Sequence, residues 1–409
     1  MKSYHVLLDG TRLYRWNGGL DFLANLASIC YGIQQQPTKM QLKVSVMLPY
    51  KIPEYEIWLR KLLGKALADR NETVNNAIET VRRTNPNVEV MYLRKYDMIK
   101  GSEDWAVRRL VVRNNVDCII GVTSSVYRDL PIPWVSYIPD YQHKYLSQFF
   151  SEQECVDRDR LFSEIANIAP YFIATSESHK ADMVKFSKIS PEKIFTMPFA
   201  PITSDSFLDT SAIDLRKYNL PQNYFLISNQ FWKHKSHETA AKALKILHNE
   251  GYTDVQIICT GKTEDYRNVE YANEINALVS RLQLQQHFRM VGLIPKLEQI
   301  EIMKKAVALI QPSLFEGDPG GCSTYDAVGL ERPVILSDTP VNLEAKVYDK
   351  AHFFIKESAE DLARQMKAML ELEKCEYSQT DVLQKREKNK DELKNFFENM
   401  IIEICGGKK

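Results

Sequence analysis

The chain has 409 residues, of which 44% are hydrophobic and 26% are charged, so it can bury a large core and is expected to form two domains of similar size. Lysine plus arginine and aspartate plus glutamate number 53 each, so there is no overall field that would attract nucleic acid. No partner of that class is predicted.

Seven scattered cysteines, none in a C-x-x-C pair, argue against a disulfide framework and a structural zinc site, and they fit a reducing cytoplasm. The opening "MKSYHVLLDGTRLYRW" lacks the apolar core of a signal peptide, and no run of about 18 apolar residues occurs. We therefore expect a soluble, cytoplasmic protein.

Short apolar, β-branched runs alternate with segments of helical period, the pattern of repeated βα units and a parallel sheet. The predicted strands of the first half are "YHVLLD", "KVSVMLP", "VEVMYL", "VDCIIG", "WVSYIPD" and "YFIATS", and those of the second half are "YFLISN", "VQIICTG", "FRMVG", "VALIQPS", "PVILSD" and "AHFFI".

A Pro-, Ser- and Asp-rich stretch with little periodicity, residues 198–223, separates the two halves and predicts a linker. The predicted architecture is α/β, with two Rossmann-like, doubly wound domains at 1–200 and 201–380 facing across a cleft. A charged, amphipathic segment from about residue 378 predicts a terminal helix, placed at 381–409.

Polar residues that directly follow predicted strands are the first candidates for function, because ligands of open α/β sheets bind beyond the carboxyl ends of the strands. In the first half, Gly18 and Gly19 lie between strand one and an apolar helix, where paired glycines let backbone approach a ligand. Further on, Asp140 and His143 follow "WVSYIP", which suggests that the imidazole donates a hydrogen bond to a ligand and that Asp140 orients it.

In the second half, "YFLIS" is followed by Asn229 and then by Lys233 and Lys235, a pair of cations that can neutralise a diphosphate leaving group. The alternative is that K-x-K is simply solvated surface. Two of the eight histidines flank these lysines without acidic or cysteine companions at ligand spacing, so no metal site is predicted.

The stretch "PSLFEGDPGGCSTYDAVGL" carries the densest signal. Glu316 ends an apolar run, a glycine-rich loop follows, and a helix is predicted to begin near its end, where backbone N–H groups favour a phosphate. The loop residues predicted to approach the donor are Gly320, Gly321, Cys322, Ser323 and Thr324. For Cys322 we favour a small buried residue over a nucleophile, because no histidine partner is near.

The motifs "SNQFWKHKSHETAAKAL", "IQPSLFEG" and "DAVGLERPVILSD" together resemble the retaining glycosyltransferases of family 4, which have the GT-B fold. The resemblance implies that Glu316 contacts hydroxyls of the donor sugar and that Asp326 holds the ribose. It implies that Lys235, with Lys233 or Asn229, binds the diphosphate. The family also has a D-x-x-H stretch whose histidine faces the donor sugar.

This sequence departs from the family in three ways. The two acids lie ten positions apart where the family has eight, the second acid is Asp326 rather than glutamate, and the arginine usual beside the lysine is missing. For Asp326 the alternative is a capping box with Ser323, in which the acid only bonds backbone N–H groups.

The resemblance implies transfer of a hexose, with retention, from a nucleoside-diphosphate sugar to a hydroxyl of a glycan or lipid-linked saccharide, in surface polysaccharide biosynthesis. It also implies no metal or other cofactor and a C-terminal helix that crosses back to the first domain. The basic, apolar segment 56–67 suggests peripheral membrane contact, with a core-packed helix as the alternative. A sugar-nucleotide epimerase and a catalytically silent GT-B subunit remain as alternatives.

Overall fold

The computed structural model describes residues 1–50, 70–93, 102–265, 267–372 and 375–406. Two parallel β-sheets, one in each half of the chain, are flanked by helices. The predicted α/β class with two Rossmann-like sheets is confirmed.

The first sheet has the strand order β3-β2-β1-β4-β5-β6-β7, and its strand pairs are parallel. Strand β1, between β2 and β4, pairs with β2 along its whole length. The strands are β1 Lys2–Asp9, β2 Met40–Leu48, β3 Glu89–Tyr92, β4 Cys118–Val122, β5 Trp134–Ser136, β6 Tyr171–Ala174 and β7 Ile194–Thr196. The sequence reading missed β7, because three residues at a sheet edge carry too short a pattern to detect.

The second sheet has the order β10-β9-β8-β11-β12-β13, again parallel, and its strands coincide with the six predicted ones. They are β8 Tyr224–Ser228, β9 Gln256–Thr260, β10 Phe288–Gly292, β11 Leu309–Gln311, β12 Val334–Ser337 and β13 Ala351–Phe354. Strands β8, β11 and β12 are buried throughout, which explains their continuous apolar sequence.

The helices of the first half cover both faces of the first sheet. They are α1 Asn17–Gln35, α2 Arg70–Thr84, α3 Glu103–Arg113, α4 Gln142–Tyr145, α5 Glu152–Ile168 and α6 Glu177–Ser187. Those of the second half are α7 His237–Asn249, α8 Tyr271–Arg281, α9 Lys296–Lys305, α10 Gly321–Gly329, α11 Ala359–Glu371 and α12 Gln379–Gly406.

The terminal helix α12 crosses back onto the first domain, as predicted. Phe397, Met400 and Ile401 are buried in the same apolar cluster as the side chains of β1 and α1. The fully buried carboxylate of Glu398 accepts hydrogen bonds from the Thr38 hydroxyl (2.5 Å), the Thr38 N–H (3.3 Å) and the N–H of residue 39 (3.2 Å). The helix therefore fixes the turn between α1 and β2 as well as covering the sheet.

The segment 198–223 joins the two sheets without a strand or α-helix and contains short 3₁₀ turns at Asp205–Phe207 and Arg216–Tyr218. It packs against α12, because the Asn389 amide donates to the Pro201 carbonyl at 2.7 Å. The predicted interfacial segment 56–67 lies outside the described residues. Within the described chain, no helix combines the length and the apolar character needed to span a bilayer.

Candidate active site

The second sheet changes direction between β8 and β11. From β8 the chain proceeds to β9 and β10 on one side, and it resumes at β11 on the other side. The segments that leave β8 and β11 therefore diverge and leave a crevice at the carboxyl edge, which is where ligands of doubly wound sheets bind. Lys235 follows β8 and Glu316 follows β11, so both predicted donor residues lie at this crevice.

A continuous hydrogen-bonded network fills the crevice. The Lys235 Nζ lies 2.6 Å from Glu316 Oε1, and the Gln311 side-chain amide donates to the same oxygen at 2.6 Å. Asn229 Nδ2 in turn donates to Gln311 Oε1 at 2.7 Å. The side chains of Lys235 and Glu316 are only 13% and 8% exposed, so this is a nearly buried ion pair. The structure thus brings together the predicted residues Glu316, Lys235 and Asn229.

Gln311 links these residues and was not predicted. It is fully buried as the last residue of β11, and it also donates to the Ser313 hydroxyl at 3.1 Å. The signal that identifies it is a glutamine inside the apolar run "VALIQPS", since a buried amide requires partners.

The glycine loop lies directly against Glu316. Gly320 and Gly321 both have φ near +70°, and a Cβ on Gly321 would lie 3.0 Å from Glu316 Oε2. The Gly320 N–H donates to Asn342 Oδ1 (2.9 Å), and its carbonyl accepts from the Thr324 hydroxyl (2.8 Å). Glycine is required at these two positions because of the backbone conformation and the lack of space.

Helix α10 begins at Gly321 with Gly320 as its N-cap, so the capping box proposed for Ser323 and Asp326 is wrong. Among the described residues the buried Ser323 hydroxyl has no hydrogen-bond partner. Cys322 is exposed, so the expectation that it is buried is wrong as well.

Asp326 is ion-paired with Lys296, the first residue of α9. Burial raises the pKa of Asp326, and the Lys296 charge opposes that rise. Asp21 of α1 is close enough for both charges to act on it: burial raises the pKa of Asp21, Lys296 lowers it and Asp326 raises it further. The second acid therefore faces the first domain, at a place distinct from the Glu316 network.

Asp318 is a further acid in the glycine loop that sequence reasoning missed. Burial, reinforced by the neighbouring Glu316 charge, raises the pKa of Asp318 to about 7, while Lys235 opposes the shift. Burial thus favours the neutral form of this carboxyl group far more than that of an ordinary aspartate. An acid in the stretch "GDPG" is typical of an ordinary turn, so no local pattern identifies Asp318 as a site residue.

Lys233 does not join Lys235 at Glu316. Its Nζ lies 3.3 Å from Glu274 Oε2 on α8, and its side chain is 43% exposed. The two lysines are separated by the buried His234 in a single 3₁₀ turn, Lys233–Lys235, which directs them to different sides. The expected pairing of both ammonium groups on one diphosphate is not the arrangement in this structure.

On the first domain, His143 is held by Asp159 and not by Asp140, so the predicted orienting role of Asp140 is wrong. His143 Nε2 lies 2.9 Å from Asp159 Oδ1, and its ring packs against Phe150 and Phe162 with 1% of the side chain exposed. Burial lowers the pKa of His143 despite Asp159, so the ring is neutral at pH 7.

Asp140 instead shapes its own turn and faces the second domain. Its Oδ1 accepts from the N–H of Gln142 at 2.9 Å and lies 3.6 Å from Arg158. A Cβ on Gly317, the residue after Glu316, would lie 3.2 Å from the Asp140 Cβ and 2.8 Å from the carbonyl oxygen of Pro139. The Asp140 turn of the first domain and the loop after Glu316 in the second domain are therefore in contact across the cleft.

Two further contacts hold the domains together here. The Thr175 hydroxyl donates to the carbonyl oxygen of Gly317 at 3.2 Å. The carboxylate of Glu344 accepts from the N–H groups of Glu177 (2.9 Å) and Ser178 (2.7 Å) at the start of α6. A carboxylate at a helix N-terminus is favoured by the helix dipole, so Glu344 stabilises the facing arrangement.

The glycine pair of the first domain accommodates a side chain of the same loop. A Cβ on Gly18 or Gly19 would lie 2.5 to 2.6 Å from the nearest atom of the Trp16 indole. The structure therefore assigns the small size of these residues to Trp16 packing, with Trp16 itself 43% exposed.

No group of three or more histidine, cysteine, aspartate or glutamate side chains in the described parts of the chain has the geometry of a metal site. Whether the reaction requires a metal is a separate question that a chelation experiment addresses below.

Residues 213–390, less than half of the chain, match the family model described as "Glycosyl transferases group 1". No curated protein matches the sequence. The fold is similar to that of a glycosyltransferase from Rickettsia africae ESF-5, with a TM-score of 0.65 and 13% identity over 100% of both chains.

Two further similar structures are Anabaena Alr3699/HepE in complex with UDP and glucose, and sucrose-phosphate synthase from Thermosynechococcus elongatus. The first has a TM-score of 0.57 and 14% identity over 98% of this chain and 97% of that one. The second has a TM-score of 0.60 and 14% identity over 98% of each chain. At such identity these likenesses establish the GT-B fold alone. The match of residues 213–390 identifies a glycosyltransferase group 1 domain in this chain.

Proposed function

We propose that this glycosyltransferase moves a hexose from a nucleoside-diphosphate sugar to a hydroxyl of a glycan or lipid-linked saccharide, with retention at the anomeric carbon, in surface polysaccharide biosynthesis. The observation that carries the proposal is the Lys235–Glu316–Gln311–Asn229 network at the switch point of the second sheet. Retention and the pathway rest on the resemblance to family 4. The HepE structure, which contains UDP and glucose, supports a nucleotide-sugar donor.

Lys235 is the group proposed to bind the diphosphate. In this structure its charge is balanced by Glu316, and a nearly buried ion pair of this kind contributes little net stability, because desolvation offsets the attraction. A diphosphate can replace Glu316 as the partner of Lys235. The Lys235 ammonium then stabilises the negative charge that develops on the leaving group.

Glu316 is proposed to contact hydroxyls of the donor sugar once Lys235 has turned to the diphosphate. Gln311 still holds the carboxylate from the sheet side, so its orientation does not depend on the lysine. We regard Gln311 as a positioning residue. Its replacement by leucine is expected to lower kcat with a smaller change in the Kd of the bare nucleoside diphosphate.

Asp326 is proposed to hold the ribose, and the charge of Lys296 beside it opposes the rise that burial causes in the pKa of Asp326. The start of α10 lies beside Glu316, and a helix N-terminus favours a phosphate. The first domain supplies the acceptor side of the cleft, with the turn at Pro139 and Asp140 against the glycine loop.

The experiment that tests the proposal is incubation with UDP-, GDP- and dTDP-sugars, with and without lipid-linked saccharide acceptors. Transfer that requires an acceptor supports the proposal. Release of an isomerised sugar or sugar nucleotide without an acceptor would identify an epimerase, and the absence of turnover with every donor would favour a silent partner subunit.

The same assay tests metal dependence. We expect EDTA to leave the rate largely unchanged, since the proposed leaving-group contacts come from Lys235 and the helix start. Abolition by EDTA with rescue by manganese would show that the metal-independent form of the proposal is wrong.

A further inference from the structure

A second polar cavity lies between the domains on the other side of the 3₁₀ turn that carries Lys235. Its volume is about 190 Å³. Gln148 and Phe149 of the first domain line one side, and Lys233, His234, Arg267 and Asn268 of the second domain line the other. Lys235 turns away from it toward Glu316, so the cavity is separate from the donor network.

Arg267 is held rigidly at the wall of this cavity. Its guanidinium lies over the Trp232 ring at 4.6 Å and over the Phe150 ring of the first domain at 5.2 Å. Its Nη1 donates to Gln142 Oε1 at 3.1 Å, and only 8% of the side chain is exposed. Because the cation is already fixed, binding a ligand costs little further side-chain entropy.

The carboxylate of Asp265 also lines the cavity and reduces its positive charge. Its Oδ1 accepts from the Arg267 backbone N–H at 3.0 Å and lies 3.6 Å from Arg267 Nε. Lys233 adds a second cation, which is shared at 3.3 Å with the exposed Glu274. With two cations and one carboxylate, the residues that line the cavity carry a net positive charge. The Asp265 carboxylate is already hydrogen-bonded to the Arg267 backbone.

His234 contributes a buried polar nitrogen to the wall of the cavity. The residue is 3% exposed, and its Nδ1 has no hydrogen-bond partner among the described residues. Burial lowers the pKa of His234 well below its usual value, so the ring is neutral and carries one N–H. A buried polar nitrogen without a partner is uncommon in a folded protein, and a ligand in the cavity can satisfy it.

The lining is richer in hydrogen-bond donors than in acceptors. Guanidinium and ammonium groups only donate, the amides of Gln148 and Asn268 can donate, and the single carboxylate is occupied. This balance suits an anion better than a neutral sugar, whose hydroxyls need both kinds of partner.

We propose that this cavity binds a phosphate group carried by the acceptor. The inference rests on the proposed function, in which the first domain receives the acceptor, and residues of that domain form one wall. A diphosphate donor already has its own cation in Lys235 across the turn. The acceptor class is accordingly a phosphorylated saccharide or a saccharide linked to a lipid through phosphate.

The test is a calorimetric titration of the full-length protein with inorganic phosphate, at phosphate concentrations up to about 20 mM. Arg267→Gln is expected to weaken phosphate binding about tenfold or more, and Lys233→Gln severalfold. Lys262→Gln, which removes an exposed charge from the same loop outside the cavity, is expected to leave phosphate binding within about twofold.

Arg267 also joins the two domains, so its replacement can disturb folding. In that case the phosphate affinity of Lys233→Gln tests the proposal, because the Lys233 side chain is 43% exposed and its replacement should not disturb folding. Unchanged phosphate binding in a folded Arg267→Gln or in Lys233→Gln, loss of binding in Lys262→Gln, or binding of glucose instead of phosphate would each overturn the proposal. Absence of any phosphate binding would overturn it too.

This titration needs neither donor nor turnover. A protein that binds phosphate through Arg267 but transfers no sugar would therefore refute the proposed function alone. A protein that transfers sugar but binds no phosphate would refute the cavity proposal alone.

Discussion

At the carboxyl edge of the second sheet, Lys235 and Glu316 meet at 2.6 Å in the crevice, whereas at the same edge of the first sheet His143 turns toward Asp159 and an aromatic cluster. Both pairs contain a base and an acid, but only Lys235 and Glu316 both follow buried strands, since Asp159 lies within helix α5. The second-sheet pair is held at the crevice by Gln311 and faces a loop of glycines, while the histidine of the first sheet is packed among side chains.

The difference shows that a strand end predicts where a side chain begins but not where it points. Glu316 is directed into the crevice because Gln311, at the end of the same strand, holds its carboxylate. His143 lies in the short helix α4, which begins directly after the turn at Asp140. In this position its ring packs against Phe150 and Phe162. Three substitutions and one change of pH test this difference between the two sheets.

The largest loss of activity is expected for Glu316→Ala. Loss of contacts to the donor sugar, and of charge that orients Lys235, should cost roughly 2–4 kcal/mol of activation, a factor of about 30 to 1,000 in kcat/KM. Glu274→Ala is the matched control, because it removes the carboxylate paired with Lys233 outside the network. Initial rates with the donor found by the panel measure both. Equal rates for Glu316→Ala and wild type would remove Glu316 from the site.

Lys235→Ala should weaken the bare nucleoside diphosphate as well as the intact donor. A charge-assisted bond lost at a nearly buried position costs roughly 1.5–3 kcal/mol, about tenfold or more in Kd. Calorimetry with the nucleoside diphosphate measures it, and Lys233→Ala should show the smaller loss, since that ammonium points to Glu274. If the two variants lost affinity equally, the separation of the lysines in this structure would not describe the bound state.

Acid should destabilise both domains through buried histidines. Burial lowers the pKa of His143 and His179 in the first domain and of His234 and His237 in the second, to about 4 for His179 and about 3 for His237. Unfolded histidines bind protons near pH 6.5, so this contribution to stability is complete above that pH and falls as pH is lowered.

Each such histidine adds a slope of up to about 1.4 kcal/mol per pH unit between about pH 6.5 and its folded pKa. Urea unfolding midpoints at pH 7 and pH 5 measure the fall. His237→Phe, next to the stacked Phe231, should reduce the fall by one histidine's share. Midpoints that do not change between these pH values would show that the histidines accept protons in the folded state.

The smallest effect concerns the glycine pair of the first domain. Gly18→Ala should destabilise by roughly 1–3 kcal/mol, because the new Cβ would lie 2.6 Å from the Trp16 ring. Gly32→Ala in the same helix is the control, since no atom lies within 4 Å of its Cβ position, and it should stabilise by about 0.5–1 kcal/mol.

A Trp16→Ala background separates packing from ligand approach. If the glycines exist for Trp16, the cost of Gly18→Ala should shrink in that background. A loss of activity on Gly18→Ala that persists without Trp16, at unchanged stability, would restore the predicted role in ligand binding.

By itself the sequence determined the two-domain α/β fold, because continuous apolar runs of strand length can be buried only in parallel sheets covered by helices. It also determined which loops lie at the sheet edges, since the chain order of strands and helices fixes their ends. Glu316, Lys235 and Asn229 were predicted for that reason, and the apolar stripe of α12 was long enough to predict burial.

Only the tertiary structure decided the partners. Gln311 joins Asn229 to Glu316 across two strands, Asp159 replaces Asp140 beside His143, and Lys296 holds Asp326 from another helix. Each of these contacts joins residues on different elements or distant in the chain, so no local spacing in the sequence predicts it. Side-chain direction depends on the packing that surrounds it. The sequence pattern gives the position of a charged residue along the chain, and the tertiary structure determines which groups its side chain contacts.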